Sequence, residues 1–385
     1  MRILFCTDTY PPQVNGVSVV TALSVTGLRA RGWEVEVIAP RYPADIPRIF
    51  ERSMSDEGVT SIASVPLPVY PDIRLAAPAR KTVRDTIARF KPDIVHSATE
   101  FMIGRMGVRA AHAAGIPITT SYHTDFAKYT ESYGVPFLRG AVTTWIRRFH
   151  SQAERIFTPS APSRADLLAL GLKDVEVWGR GVDDVLFHPS KRSLALRQRL
   201  TLGNAFTFVH VGRLAPEKGV DVLLDAFGMV ERELGSDAVK FVVAGAGPSL
   251  PSLKERAPKS VTFLGNLDRQ RELPSLYASA DGFLFASTTE TLGLVVLESM
   301  AAGTPVIAAP AGGVADHLRH EENGLAYEAM NARACADAMR RLVADRELQQ
   351  RLRDGARRTV EQRTWEHEMD RLDASYHEVL SRRAP

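Results

Sequence analysis

The stretch Glu290-Thr-Leu-Gly-Leu-Val-Val-Leu-Glu298 places a carboxylate at each end of a short apolar run. It follows Gly282-Phe-Leu-Phe-Ala-Ser, a segment of strand length, and its glycine predicts a turn into a helix over 294–302. Glu290 would then lie at the helix N-terminus, where unpaired N–H groups and the helix dipole favour an anion. Glu298 would lie two turns further on, about 12 Å away at about 1.5 Å per residue. The pattern predicts a site for a ligand with both phosphate and hydroxyl groups, such as a nucleotide sugar.

Apolar segments of strand length alternate with helix-patterned segments along both halves of the chain. This alternation predicts parallel sheets covered by helices on both faces. Two such series predict an α/β protein with two Rossmann-like domains that face a central cleft, divided between residues 1–186 and 187–364. The predicted strands are 2–8, 35–39, 93–97, 117–122, 155–159 and 175–178 in the first half, and 206–211, 239–244, 261–264, 282–286 and 305–308 in the second.

The last segment of the chain has an apolar stripe with helical spacing, over about 365–381. A helix with such a stripe needs a surface to cover it. That surface belongs either to its own domain or to the N-terminal one. The stripe consists of Trp365, Met369, Leu372, Tyr376 and Val379.

Two further motifs follow predicted strands of the second half. Gly212-Arg-Leu-Ala-Pro-Glu-Lys218-Gly places Arg213 and Lys218 around a turn, where the two cations could clamp a diphosphate. Ala244-Gly-Ala-Gly-Pro alone is a weak dinucleotide signal, because the third glycine of the usual fingerprint is missing. The sequence contains no Asp-x-Asp metal motif, so no metal ion and no cofactor are expected.

Together these motifs resemble the retaining GT-B glycosyltransferases of family 4. Phe263-Leu-Gly adds to the match. Thr7-Asp-Thr-Tyr-Pro-Pro-Gln-Val-Asn-Gly16 and Trp178-Gly-Arg-Gly-Val-Asp183 resemble the branch that holds GDP-mannose-dependent α-mannosyltransferases and sulfoquinovosyl-diacylglycerol synthases. The resemblance implies that the final helix crosses back to the N-terminal domain. It also implies that the N-terminal domain binds the acceptor and the C-terminal domain binds the donor.

The resemblance also assigns functional residues. His123, Arg213, Lys218 and Glu290 are the expected catalytic residues, with His123 contacting the transferred sugar. Glu298 is expected to bind the ribose hydroxyls. Glu290 is expected to bind hydroxyls of the transferred sugar and to stabilise the positive charge that develops on its ring. The expected donor-binding residues are Gly16, Arg180, Gly212, Arg213, Lys218, Leu264, Glu290, Thr291, Leu292, Gly293 and Glu298.

Each of these expectations has a simpler alternative. Paired glutamates on a surface helix are commonly only solvated, and a histidine at a strand end is commonly structural. Gly16 also fits a tight turn, and Arg180 with Asp183 fits an interdomain salt bridge. The distance of about 12 Å argues against the paired carboxylates of a double-displacement glycosidase, which lie about 5 Å apart.

The reaction predicted from the resemblance is transfer of a hexose with retention, by a metal-independent front-face mechanism. The donor is GDP-mannose or a UDP-hexose, and the acceptor is a lipid or glycolipid. The alternatives are a glycosyltransferase that uses UDP-glucose or UDP-sulfoquinovose with a diacylglycerol or soluble acceptor, a sugar-nucleotide epimerase, and a non-catalytic binding module. A dehydrogenase would need the complete glycine fingerprint followed by a ribose-binding acid.

Composition and residue spacing argue against nucleic-acid-binding, metal-binding, membrane-spanning and secreted proteins. A net charge of +3 over 385 residues gives no indication of nucleic-acid binding, and Cys6 and Cys335 lack metal-ligand spacing. No apolar run approaches the roughly 20 residues that span a bilayer, and the N-terminus does not resemble a signal peptide. We therefore expect a cytoplasmic protein.

One segment predicts peripheral contact with the inner face of the membrane. Residues 78–90 fit a helix whose buried stripe is Val83, Ile87 and Phe90. The cations on the adjoining face are Arg80, Lys81 and Arg84, flanked by Arg74 and Lys91. The alternative is an ordinary solvated face of a βαβ helix.

Overall fold

The computed structural model describes residues 1–13, 15–43, 57–67, 70–126, 130, 135–179, 181–361 and 363–383. These residues form two compact units. The first combines Met1–Ala127 and Phe137–Gly179 with the C-terminal Glu366–Pro385, and the second is built on Arg180–Trp365. The N-terminal part of the first unit therefore ends at residue 179, seven residues before the boundary predicted at 186 from the sequence.

The first unit contains a seven-stranded parallel sheet in the order β3-β2-β1-β6-β7-β8-β9, and a separate antiparallel hairpin of β4 and β5. From β1 outward, the strand order continues through β2 and β3 on one side and through β6 to β9 on the other, as in doubly wound nucleotide-binding folds. The strands are β1 (Arg2–Cys6), β2 (Glu34–Pro40), β3 (Val59–Ile62), β4 (Ser64–Leu67), β5 (Tyr70–Ala76), β6 (Ile94–Ser97), β7 (Ile118–Ser121), β8 (Arg155–Thr158) and β9 (Val175–Val177).

The second unit contains a six-stranded parallel sheet in the order β12-β11-β10-β13-β14-β15. Neighbouring residues of β10 face opposite sides: Phe208 joins one buried cluster and Val209 the other, so both faces are covered. The strands are β10 (Phe206–Val211), β11 (Val239–Ala244), β12 (Val261–Gly265), β13 (Gly282–Phe285), β14 (Val306–Ala308) and β15 (Gly324–Ala326).

Helices connect the strands in both units. In the first unit they are α1 (Gly16–Ala30), α2 (Arg80–Phe90), α3 (Met102–Ala113), α4 (Arg139–His150) and α5 (Ala161–Ala169). In the second they are α6 (Leu194–Arg199), α7 (Val220–Leu234), α8 (Leu250–Arg256), α9 (Leu273–Ser279), α10 (Leu294–Ala301), α11 (Ala332–Ala344) and α12 (Arg346–Glu361), and the chain ends in α13 (Trp365–Ser381).

All eleven predicted strands are present, and four strands were missed. β3, β4 and β5 lie in a region with little continuous apolar sequence, and β15 is only three residues long. Strands that are interrupted by polar residues or proline, or that are only three residues long, are recognised by their neighbours in the sheet rather than by their own composition.

The final helix α13 packs on the first unit. Met369, Leu372, Tyr376 and Val379 are buried, as the apolar stripe predicts, whereas Trp365 is only half-buried. Arg31 donates to Asp370 over 2.6 Å. The alternative that this helix packs only on its own C-terminal domain is therefore wrong.

Polar contacts add to that packing along the helix. The Nε1 atoms of Trp33 and Trp178 donate to the carboxylate of Asp373 and the carbonyl of Glu368, over 2.6 and 2.8 Å. None of the described helices has both the length and the apolar character needed to cross a bilayer.

Candidate active site

Two loops of the second unit bring Lys218 and Glu290 together. One follows β10 and the other follows β13, and these strands are neighbours in the sheet. Gly219, with φ of 62°, lets the first loop pass close to Ala286: a Cβ at position 219 would lie 3.1 Å from the Ala286 Cβ. Lys218 Nζ donates to Glu290 Oε1, and both side chains are largely buried, with 13% and 20% exposed.

The surroundings of Glu290 keep it ionised. Burial alone raises the pKa of this carboxyl. The charge and hydrogen bond of Lys218, a hydrogen bond from Ser287 and the charge of Arg213 outweigh that effect and lower the pKa below its usual value. Glu290 is therefore a carboxylate that can accept hydrogen bonds or stabilise positive charge.

Arg213 lies beside this pair, at the end of β10. One of its terminal nitrogens donates to Oε1 of the fully buried Glu217, which holds the guanidinium in one orientation. About a third of the Arg213 side chain stays exposed. The two cations predicted from the Gly212–Gly219 motif therefore lie on the same edge of the sheet as Glu290.

Glycines allow the loops at this edge to pack backbone against backbone. Gly245 and Gly247 follow β11, and a Cβ on Gly245 would lie 1.8 Å from the carbonyl oxygen of Gly212. A Cβ on Gly312 would lie 2.2 Å from the carbonyl oxygen of Glu290. The glycines of Ala244-Gly-Ala-Gly-Pro are thus required by packing against the Gly212 loop.

The helix predicted over 294–302 is present as α10, but Glu290 lies before it, so the placement of Glu290 at its N-terminus and on one helix with Glu298 was wrong. The helix α10 begins at Leu294, and the left-handed Gly293 before it has φ of 79°. Glu290 lies four positions earlier, in the loop, where its carbonyl accepts from Gly313 N over 2.7 Å. The distance of about 12 Å derived from helical rise does not apply to this pair.

Glu298 lies inside α10 and is buried with partners of its own. Arg269 Nε donates to Oε1 over 2.9 Å, and the Tyr277 hydroxyl donates to Oε2 over 3.2 Å. The guanidinium of Arg269 also stacks 5.0 Å from the ring centroid of Phe187. Burial raises the pKa of Glu298, against the opposing effects of Arg269 and Tyr277.

The other second-unit residues expected to bind the donor lie at the ends of strands or in the loops that follow them. Leu264 is half-buried at the carboxyl end of β12, next to β11, and Gly212 directly follows β10. Thr291 and Leu292 are buried in the loop before α10. Arg180 lies outside the described residues.

Gly16 and His123 belong to the first unit. Gly16 begins α1 after the N-cap Asn15, whose side chain accepts from Ser18 N over 2.9 Å. A Cβ at position 16 would meet no atom within 4 Å, so space is open there. His123 is half-buried and follows Tyr122 at the end of β7. Both residues thus lie at the carboxyl edge of the first sheet.

Sequence reasoning missed three residues that shape the second-unit site. Arg269 and Tyr277 hold Glu298, and no motif marks them. The buried His210 on β10 contacts the carbonyl oxygen of Leu284 through Nδ1 over 3.0 Å. Burial lowers its pKa to about 4, so the ring is neutral, and its Nε2 has no partner among the described side chains and backbone. The signal for it was a polar residue within an apolar strand.

Two family profiles match the chain. The one described as Glycosyl transferases group 1 matches residues 194–359, and the one described as Glycosyltransferase Family 4 matches residues 14–186. The GDP-mannose-dependent alpha-mannosyltransferase of Mycobacterium tuberculosis (strain CDC 1551 / Oshkosh) is 35% identical over 100% of this chain and 98% of its own length. Sulfoquinovosyl transferase SQD2 of Arabidopsis thaliana is 33% identical over 78% of this chain and 60% of its own.

A solved structure agrees at the level of the fold. HepE of Anabaena, in complex with UDP and glucose, has a TM-score of 0.78 and 22% identity, and the match covers 98% of this chain and 99% of that one. The two parallel sheets are those of the GT-B fold. With one profile on each sheet and a relative matched along its full length, this chain belongs to glycosyltransferase family 4.

Proposed function

We propose that this enzyme transfers mannose from GDP-mannose to a lipid or glycolipid acceptor, with retention at the anomeric carbon and without a metal ion. The observation that carries the proposal is the contact of Lys218 with Glu290 beside Arg213, at the end of β10. Cations and a carboxylate in one largely buried place suit a substrate with a diphosphate at one end and a sugar at the other. The identity to the GDP-mannose-dependent relative supports the choice of donor.

In the proposed reaction the bond between the anomeric carbon and the leaving phosphate oxygen breaks. The acceptor hydroxyl oxygen bonds to the same face of that carbon, and its proton passes to the leaving phosphate. Arg213 and Lys218 stabilise the charge of the departing diphosphate. The ionised Glu290 stabilises the positive charge that develops at the sugar ring, Glu298 binds the ribose hydroxyls, and His123 contacts the transferred sugar.

The donor is tested with a panel of GDP-mannose, UDP-glucose and UDP-sulfoquinovose, in which product formation and thermal stabilisation are measured. We expect GDP-mannose to be hydrolysed or transferred fastest, with equal rates in EDTA and in Mg²⁺. A preference for a UDP-sugar would show that the proposed donor is wrong. Loss of activity in EDTA that Mn²⁺ restores would show that the proposed metal-free mechanism is wrong. Conversion of the sugar without any acceptor or hydrolysis would instead indicate an epimerase.

The proposal includes peripheral contact with the cytoplasmic face of the membrane through α2. Arg80, Lys81 and Arg84 are exposed. Val83 and Ile87 are buried as expected, whereas Phe90 is only half-buried. Lys81 is paired with Asp85 over 2.8 Å, which leaves Arg80 and Arg84 without an acidic partner among the described residues. Arg74, predicted to add to this surface, instead donates to Ser64 in the β4–β5 hairpin.

Co-sedimentation tests this contact. The Arg80/Lys81/Arg84→Ser variant should bind anionic vesicles less than the wild type at low salt, because each cation near an anionic surface contributes about 1 kcal/mol. Equal sedimentation of the two proteins would exclude α2 from the contact.

A further inference from the structure

Two neighbouring helices of the first unit, α3 and α4, contain no acidic residue. Their sequences are Met-Ile-Gly-Arg-Met-Gly-Val-Arg-Ala-Ala-His-Ala and Arg-Gly-Ala-Val-Thr-Thr-Trp-Ile-Arg-Arg-Phe-His. Together they contain five arginines. The two nearest acids in sequence already have partners, since Glu100 contacts His150 at the end of α4 over 3.3 Å and Glu154 pairs with Arg383 over 2.5 Å.

A groove of about 660 Å³ lies between these helices. Arg105 and Arg109 line it from α3, and Arg148, Thr144 and Trp145 line it from α4. All three arginines are exposed, and none of them has an acidic partner in the part of the chain that the structure describes.

Like charges at positions i and i+4, as in Arg105 and Arg109, destabilise a helix. An anion in the groove would remove that repulsion. Guanidinium groups bind phosphate oxygens through two parallel hydrogen bonds, so the lining favours a phosphate group.

The groove is flanked by apolar side chains that remain in contact with water. Phe101 and Met102, where α3 begins, are 40% and 39% exposed, and Phe137 and Leu138, just before α4, are 79% and 43% exposed. The ring of Phe101 lies 5.3 Å from that of Trp145, which continues the apolar surface into the groove.

Arginines beside exposed aromatic and aliphatic side chains match a ligand with a phosphate and a hydrocarbon chain. We propose that the α3–α4 groove binds the phosphate headgroup of an anionic membrane lipid through Arg105, Arg109 and Arg148, while Phe101, Met102, Phe137 and Leu138 enter the acyl region. Free phosphate or a nucleic acid would engage the arginines but would leave those apolar side chains in water. This surface includes none of the α2 cations and none of the expected donor-binding residues named above.

The main experiment is co-sedimentation with vesicles of phosphatidylcholine alone and of phosphatidylcholine mixed with phosphatidylglycerol. The Arg105/Arg109/Arg148→Gln variant should bind the mixed vesicles about a hundredfold more weakly than the wild type, at about fivefold per arginine. The control is Arg333/Arg346/Arg358→Gln, which removes the same charge from exposed second-unit residues that have no acidic partner among the described residues. It should bind like the wild type, and equal binding by both variants would overturn the proposal.

A second measurement reports insertion. Phe137→Trp places a fluorophore at the most exposed apolar position, and its emission should shift to shorter wavelength with the mixed vesicles. The shift should be absent when the three groove arginines are replaced, and inorganic phosphate or glycerol phosphate alone should not produce it. No shift in the Phe137→Trp protein, or binding of a short RNA duplex in preference to the mixed vesicles, would also overturn the proposal.

These measurements do not depend on the proposed donor or acceptor, because no sugar is transferred. GDP binding by the groove variant should equal that of the wild type. If only the α2 variant lost vesicle binding, the groove proposal would be wrong while the α2 contact stood.

Discussion

The ammonium group of Lys218 donates a hydrogen bond to the carboxylate of Glu290, which lies 72 residues further along the chain. The contact joins the loops after two neighbouring strands, β10 and β13. It places a cation suited to a diphosphate next to a carboxylate suited to a sugar.

Replacing Glu290 should reduce turnover more than donor binding. If the carboxylate stabilises positive charge that exists mainly in the transition state, Glu290→Ala should lose about 10²–10³ in kcat, equivalent to about 2.7–4 kcal/mol. Glu290→Gln, which keeps the shape and removes the charge, should lose a similar amount. Steady-state kinetics and calorimetric titration with GDP measure the two quantities, and a kcat near that of the wild type would remove Glu290 from the reaction.

Lys218 should set the pH at which Glu290 loses its charge. Burial raises the pKa of Glu290, and Lys218 is the largest of the groups that lower it. In Lys218→Met the folded-state pKa should rise, so that activity is lost at a higher pH as the solution is acidified. Lys218→Arg should keep the acid limb of the pH–kcat profile near that of the wild type. Coincident acid limbs for Lys218→Met and the wild type would show that Glu290 does not control them.

Glu298 should be required for binding of the ribose rather than for turnover. Glu298→Gln should weaken binding of GDP but leave binding of 2′,3′-dideoxy-GDP nearly unchanged, because the dideoxy compound lacks the hydroxyls. Arg269→Met tests the packing role, since a buried carboxylate that loses its cation costs about 3–5 kcal/mol of unfolding free energy. Equal loss of affinity for both nucleotides in Glu298→Gln would assign this residue to structure alone.

His123 should affect transfer without affecting the nucleotide. It follows β7 in the first unit, whereas Arg213, Lys218 and Glu298 belong to the second. His123→Ala should therefore cut the transfer rate while GDP binding, measured by calorimetry, stays close to that of the wild type. Parallel losses of transfer and of GDP binding would indicate a structural histidine.

His96 should make the first unit sensitive to acid. Its ring is buried between Thr119, Ser121 and Tyr376, and burial lowers its pKa to about 3, against about 6.5 in an unfolded chain. Between these values the unfolded chain binds a proton that the folded protein does not. The contribution of His96 to the free energy of unfolding is therefore fully present above about pH 6.5. It falls by about 1.4 kcal/mol per pH unit as the pH drops towards 3.

The measurement is urea unfolding at several pH values, followed by hydrogen exchange of β6 and α13. In His96→Gln, which cannot titrate, the loss of stability between pH 6.5 and 4 should be smaller than in the wild type. Identical pH dependence in the two proteins would contradict this prediction.

The amino-acid sequence by itself determined the architecture of both units. Every predicted strand was found, because apolar runs alternating with amphipathic segments leave few ways to bury both faces of a sheet. The motifs also predicted that Glu290, Lys218 and Arg213 lie close together, since each follows a strand and the carboxyl ends of parallel strands meet at one edge of the sheet.

The tertiary structure alone decided how those residues are used. The glycine at 293 predicted the turn before α10, but the contact of the Glu290 carbonyl with Gly313 N joins two loops and has no local sequence signature. The pairing of Glu298 with Arg269 joins residues on different elements, and the Arg105–Arg109–Arg148 groove exists only because α3 and α4 lie side by side. The local sequence shows the period at which apolar residues recur in a segment. The partners, burial and pKa of a side chain depend on neighbours that are distant in the chain.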